Sequence, residues 1–367
     1  MKKSIICILV SSLTLSGCTG VKQPPLEEIG LITVLAFDYV DNNKMKMTAI
    51  IPQTDPEAEK HTQQYSVETD LIEKGLVEIS SKSDLTVTLK QLRVVFFSEE
   101  FAESGQMREV VKHLYNDANV RTLTNLAVVK DSAEAVLTSE YPDKQSMSKY
   151  INSFFQHRQV TVYSPMITLH DFIHNSYNPL IDGLVPYVEL KEGFIKINGV
   201  SAFKEEEMIH VFSEDEGIII QILQKPDALS ILVFTQDIGD SKKEKVSLKF
   251  VKHKAKITSN HDFESPKVKI SIKLEGTLSE YDGERDLNDK KGLASIEKDI
   301  NKKIEDEVRE MLEKFRELSI DPVGLFETFR MRYKKDFSRD LRDELLSKAE
   351  FDIEVKTNVE TTGTIKK

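Results

Sequence analysis

The sequence predicts a mixed α/β and α+β fold, with β-sheets packed against helices in more than one domain. Three patterns predict it. Strand-like and helix-like runs alternate between Ile29 and Leu137, which favours layered packing with part of the sheet parallel. In KVKISIKLEG (267–276), Val268, Ile270, Ile272 and Leu274 alternate with Lys267, Lys269, Ser271 and Lys273, the period of a half-buried strand. Between Leu293 and Phe315 apolar residues recur every three or four positions, the stripe of a long amphipathic helix. With 367 residues the chain has room for two or three domains.

The elements follow in order. Ile29–Tyr39 and Lys44–Ile51 read as strands, joined by Val40-Asp41-Asn42-Asn43, a composition suited to a hairpin turn. Residues 69–82 have helical spacing at Leu71, Ile72, Leu76 and Ile79, and 91–97 is strand-like. Met107, Val110, Val111 and Leu114 share a helical face; 123–129 is a strand, and a helix with a serine cap begins at Ser132. Residues 139–192 are expected to be less regular, punctuated by four prolines. Phe194–Phe203 and Met208–Phe212 form a second hairpin around an acidic turn, and Ile218–Leu223 is strand-sized. DIGDSKKEK (237–245) shifts composition and suggests a boundary. Asp321-Pro322 suits an N-cap followed by proline at the first helical position, opening a helix to about Tyr333; residues 351–365 close the chain as a strand.

The N-terminus is read separately. Lys2 and Lys3 precede an apolar run, Ile5–Leu15, of about eleven residues, short of the roughly twenty that span a bilayer. Ser16 and Gly17 are small and Cys18 follows, the order of a lipoprotein leader. Residues 1–17 are expected to be a removed signal peptide, Cys18 the lipid attachment site, and 18–27 a tether. Cys7 would leave with the leader, so the remaining chain would hold no thiol partner for Cys18. Domains are expected at 28–195 (α/β), 196–245 (β-rich) and 246–367 (α/β).

Composition narrows function. The formal net charge of -11 disfavours nucleic acid as a partner. GxSxG, GxGxxG, GxxxxGK and HExxH are all absent from the sequence, so neither a nucleophile elbow nor a phosphate cradle is signalled. His170 and His174 in HDFIH stand four apart, but without the remaining ligands of a metal site they read as surface histidines. Glu205–Glu207 and Glu214–Glu216 read as solvated turns. No catalytic, cofactor or metal residue is expected, and the chain is read as a non-enzyme.

Three stretches taken together resemble the Ger(x)C family, the lipoprotein C subunits of spore germinant receptors. They are EIGLITVLAFDY (28–39), NGVSAFKEEEMIHVFSEDEGIIIQIL (198–223), and DPVGLFETFRMRYKKDF (321–337) ahead of a terminal strand. Cys18 matches the family's lipidated position. Gly199, Ala202, Phe203 and Lys204, then Gly217, then Asp321, Pro322 and Gly324 match its internal motifs. The family's tryptophans are missing, with Phe337 and Ile219 as apolar residues in their place. The resemblance implies three α/β domains in a family-specific arrangement. It implies a non-catalytic subunit, with no cofactor, on the outer face of the spore inner membrane. Its partners there would be two polytopic membrane subunits of a nutrient receptor. The alternative reading is a lipid-anchored solute-binding protein of a transporter.

Overall fold

A computed structural model describes residues 25–41, 43–53, 62–144, 146–157, 166–178, 180–224, 228–229, 234–238, 244–287, 289–333 and 337–361. The leader, Cys18 and most of the expected tether lie outside the described residues. A mixed α+β architecture is built on two main sheets.

The larger sheet takes β2 (Val34–Asp41), β3 (Lys44–Pro52), β4 (Thr62–Thr69), β6 (Val94–Ser98), β7 (Asn125–Val129), β9 (Leu184–Lys191), β10 (Phe194–Lys204) and β11 (Glu207–Phe212). Their order is β11-β10-β9-β7-β6-β2-β3-β4, with β8 (Ile167–Thr168) paired to β7. The central four, β9, β7, β6 and β2, are parallel, and hairpins extend both edges. A separate parallel pair joins β1 (Ile29–Leu31) to β5 (Thr86–Thr88).

Parallel strands need crossovers, and these cover both faces. Leu35, Phe37, Val95, Phe97, Leu126 and Val128 pack under α1 (Ile72–Lys82), α2 (Glu99–Glu103), α3 (Met107–Asn116) and α6 (Leu169–Ser176). The alternate residues Val34, Ala36, Val94, Phe96, Ala127 and Val129 pack under α4 (Ala133–Thr138) and α5 (Met147–His157). Two buried faces explain why LRVVFF reads as a continuous apolar run rather than an alternation. The serine cap expected at Ser132 is present, its hydroxyl accepting from the Ala135 N–H.

The second sheet runs β12 (Ala228–Leu229), β14 (Glu244–Ser259), β15 (Lys267–Asp282), β16 (Glu350–Thr361), with β13 (Phe234–Ile238) also on β14. Val268, Ile270, Ile272 and Leu274 are buried beneath α8 (Lys290–Leu318), whose Ile296, Ile300, Ile304, Val308, Met311, Leu312 and Phe315 form the facing stripe. Strand 267–277, helix 289–316 and the closing strand are therefore one packed unit. Two shorter helices, α9 (Glu327–Tyr333) and α10 (Arg339–Lys348), complete it.

The outer edge of β16 is closed by side chains. Glu305, Asn301 and Glu297 of α8 accept hydrogen bonds from the N–H groups of Val355, Thr357 and Val359 at 3.0, 2.8 and 2.8 Å. Four helical residues rise about 6 Å and two strand residues about 6.7 Å, so the two ladders keep step over these positions. An edge that could template another strand is thereby satisfied.

Several expectations are corrected. Ile218–Leu223 lies not in a strand but in α7 (Glu214–Gln224), which buries Gly217, Ile218, Ile219, Ile220, Ile222 and Leu223 in the core of the second sheet. A helix buried on most sides carries no 3.6-residue period to read. Its start was nonetheless written in Ser213-x-x-Glu216. The Ser213 hydroxyl accepts from the Glu216 N–H, and the Glu216 carboxylate accepts from the Ser213 N–H, a capping box. Glu214–Glu216 is thus the first helical turn, where acids suit the dipole, and not a free turn. Among the described residues, the stretch 139–192 contains two helices and two strands. The helix after Asp321 begins only at Glu327, because Gly324 adopts φ +75 and breaks the helical path. Residues 196–245 contribute strands to both sheets: β10 and β11 join the larger sheet, and β12 and β13 join the second. At the two ends of the stretch 237–245, Asp237 pairs with Lys245 and Ile238 with Glu244.

The edge ladder yields a test. Asn301→Leu roughly keeps the side chain's size and raises rather than lowers helix propensity, but leaves the Thr357 N–H without its acceptor. It is expected to destabilise the fold by about 1–3 kcal/mol, read from the denaturant midpoint. An unchanged or higher midpoint would contradict the ladder's role.

Candidate functional site

Two places collect polar side chains. The first is at the carboxyl ends of the parallel strands, where open α/β sheets bind ligands. A cleft of about 440 Å³ there is lined by Asp38, Tyr39, Ser98, Glu99, Glu103 and Asp131, among others. Two of its acids already have structural duties. The Asp38 carboxylate accepts from the N–H groups of Ala133 and Glu134, both at 2.8 Å, and so holds the start of α4. Burial nevertheless pushes the Asp38 carboxyl above the usual carboxylate range, against the pull of those N–H donors. Glu99 accepts from the Tyr187 hydroxyl at 2.6 Å. Burial first, and this carboxylate second, push the phenol up.

The second place is the junction of the two sheets. The loop ahead of β9 carries Asp182, the turn after α8 carries Asp321, and α10 carries Arg339 and Arg342. Arg342 and Asp321 are fully buried and Asp182 nearly so. The Arg342 guanidinium lies 2.7 Å from Asp182 Oδ2 and donates to the Leu180 carbonyl at 3.3 Å. Its Nη2 donates to Asp343 at 2.6 Å, and Arg339 stands 3.2 Å from Asp182 Oδ1. The backbone joins in: the Asp321 N–H donates to Asp182 Oδ2 at 2.7 Å, and the Asp182 N–H to the Asp321 carbonyl at 3.1 Å. Asp321 in turn accepts from the Gly324 N–H at 2.8 Å, closing the turn.

Burial pushes the Asp321 carboxyl up to about 6; the Arg342 charge and the turn's N–H donors oppose that rise, while Asp182 adds to it. Burial works against the Arg342 charge, but Asp182 and Asp343 outweigh it and hold the guanidinium firmly protonated.

The motif residues converge on this junction. Lys204, at the end of β10, comes within 4.0 Å of Asp343. Ala202 is buried in the shared core, while its neighbour Phe203 points into the larger sheet's own core. Gly199 sits in a bulge of β10 with φ +151, where a Cβ would fall 2.0 Å from the Phe212 carbonyl oxygen; only glycine fits. Gly217 is buried on α7, and Gln224 at that helix's end donates to the Pro322 carbonyl at 3.0 Å. Phe337 and Ile219, the residues standing where tryptophan is missing, are both buried in the same core. Sequence reading found Asp321, Pro322, Gly324 and Lys204 but missed Asp182, Arg339 and Arg342. His170 and His174 are exposed on α6 with rings 6.2 Å apart. Among the described residues, no group of three or more His, Cys, Asp or Glu is placed to hold a metal ion.

Comparison with known proteins divides the chain at the β9–β10 hairpin. Residues 22–190 match the family described as spore germination protein N-terminal domain, and residues 198–363 match spore germination B3/GerAC like, C-terminal. Spore germination protein GerQC of Bacillus cereus is 23% identical over 333 residues, covering 91% of each chain. Spore germination protein KC of Bacillus subtilis (strain 168) is 21% identical, covering 98% of this chain and 95% of its own. Spore germination protein B3 of the same organism is 22% identical, covering 97% and 96%. The crystal structure of the GerBC protein shares the fold, with a TM-score of 0.56 at 19% identity over 89% of this chain and 96% of that one. The chain belongs to the Ger(x)C family of germination-receptor C-subunit-like proteins. These relatives support the receptor reading and not the solute-binding one.

The junction predicts a pH dependence. A carboxyl raised on folding favours the folded state below the ordinary carboxylate value, and that contribution fades as pH rises through about 6. Asp321→Asn keeps an acceptor for Gly324 but does not titrate. Denaturant midpoints of both proteins, measured across this window, should show the wild type losing stability relative to the variant as pH rises. Parallel profiles would contradict the assignment.

Proposed function

We propose that this chain is the lipid-anchored, non-enzymatic C subunit of a nutrient germinant receptor, needed for the germination response of the spore. The observation that carries the reading is the whole-length match: both family domains cover the chain in order, from residue 22 to residue 363. Cys18, four residues ahead of the first match, is the proposed lipid attachment site. Among the described residues no helix is long and apolar enough to cross a membrane, so two or more acyl chains on Cys18 would supply the tether. The folded body then docks on polytopic membrane subunits at the outer face of the spore inner membrane. No catalytic group, cofactor, metal or nucleic acid is assigned a part in this reading; the chain works as a binding and signalling module.

The test uses spores in which this receptor is the sole one. Deleting the gene should abolish nutrient-triggered dipicolinate release. Cys18→Ala should move the chain from the membrane to the soluble fraction and weaken the same response. Equal germination with and without the gene would refute the receptor role, and unchanged membrane partition of Cys18→Ala would refute the anchor.

A further inference from the structure

Lys273, one of the lysines that mark KVKISIKLEG as a half-buried strand, plays no part in the junction or the cleft, yet the structure gathers other lysines around it. Directly paired residues of adjacent strands share a sheet face. Lys254 of β14 pairs with Lys273 of β15, and Lys273 pairs with Lys356 of β16. Three ammonium groups therefore lie in one row across three strands about 4.8 Å apart. Lys252 and Lys256 flank Lys254 on the same outward side of β14, and all five lysines are exposed. Like charges placed directly opposite are destabilising.

The same sheet shows how such charges are neutralised where neutralisation is the arrangement. One end of β16 presents Glu350, Asp352 and Glu354 outward. Glu350 pairs with Lys267 at 2.9 Å, and Lys269 pairs with Glu354 at 3.0 Å and Asp352 at 3.6 Å. At Lys356 the outward sign reverses. Among the described residues, Lys252, Lys254, Lys256, Lys273 and Lys356 form no ion pair with any carboxylate within 4.0 Å. Glu275, opposite Lys252, is the acid inside this field.

We infer that this face of the second sheet is a docking surface for anionic phospholipid headgroups of a bilayer. Charge complementarity selects an anionic occupant. The surface itself selects lipid over an acidic protein: every outward residue of β15 from Lys267 to Ser279, and of β16 from Glu350 to Glu360, is polar or charged. A stable protein interface needs an apolar centre, which this face lacks; a headgroup plane needs only charge. The overall charge of -11 repels such a plane, so contact through this one basic face would also fix how the body is oriented. The inference rests on the anchor proposed above only for delivering the chain to the membrane.

The test reconstitutes the full chain into vesicles of phosphatidylcholine alone and into vesicles that also contain phosphatidylglycerol. Flotation reads attachment, and amine acylation with mass spectrometry reads each lysine. Lys254, Lys273 and Lys356 should label on the order of 5-fold more slowly on the anionic vesicles. That protection should vanish in about 1 M salt, where screening is nearly complete. Lys74 and Lys112, on the larger sheet's helices, should label equally on both. Lys254→Glu/Lys273→Glu/Lys356→Glu should fold, as circular dichroism checks, and lose the difference. Equal labelling of the three lysines on both vesicles would overturn the inference. So would protection confined to native membranes that hold receptor subunits, which would make the occupant a protein. If the chain fails to float with neutral vesicles, the anchor is refuted. The anionic arm then decides alone: wild type floating and the triple variant remaining behind supports the face, and equal flotation overturns it.

Discussion

The buried pairing of Arg342 with Asp182, and of Asp182 with the backbone of Asp321, is the interaction on which the rest depends. Each charge has left water, and each is tolerable only beside the others. Arg342 comes from α10, Asp321 from the turn that follows α8, and Asp182 from the loop that feeds β9 of the larger sheet. Fixing these three segments fixes the angle at which the second sheet meets the first. The apolar core follows the same line: Leu184, Val200, Ala202 and Phe212 from the larger sheet share one cluster with Ile272, Ile304 and Phe315. Apolar packing supplies the area, while the ionic group specifies the register.

Around that junction the chain handles two further constraints. A parallel centre buried on both faces needs helices above and below, which the crossovers supply. The second sheet has one wet face, so its outer strand must be closed in another way. Three polar side chains of α8, spaced four apart, meet three outward N–H groups spaced two apart. Helix α7 occupies the space between, with its first turn tied to α8 through Glu216 and Lys314 and to β10 through Glu214 and Lys196.

Much of this was legible in the sequence where structure is local. The alternation at 267–274, the stripe of α8 and the cap at Ser132 each express a periodicity or a hydrogen bond within a few residues. Helix α7 was misread because its apolar run is buried nearly all round, although Ser213-x-x-Glu216 marked its start. The ionic junction had no local signal. Asp182 and Asp321 are 139 positions apart, and Leu180 and Arg342 are 162 apart. Nothing about an arginine in RDLRDELL distinguishes a buried partner from a solvated one. The family motif pointed at half of the junction, through Asp321, Gly324 and Lys204, and the fold supplied the partners. The placing of β10 and β11 in one sheet and of β12 and β13 in the other had no local signal either, since strand pairing between distant segments is not written in composition.

The two sheets act as one body only where they are joined, and the junction is where that shape is set. Arg342→Met measures this most directly. It keeps an unbranched apolar stem, removes the charge, and leaves Asp182 buried with a weakened set of partners. Hydrogen exchange should be followed at Val95 and Phe97 in β6, and at Ile270 and Ile272 in β15. If the junction joins the sheets, protection at all four sites falls together, with a loss of about 3–5 kcal/mol in global stability. Unchanged protection in both sheets, or a loss confined to α10, would contradict it.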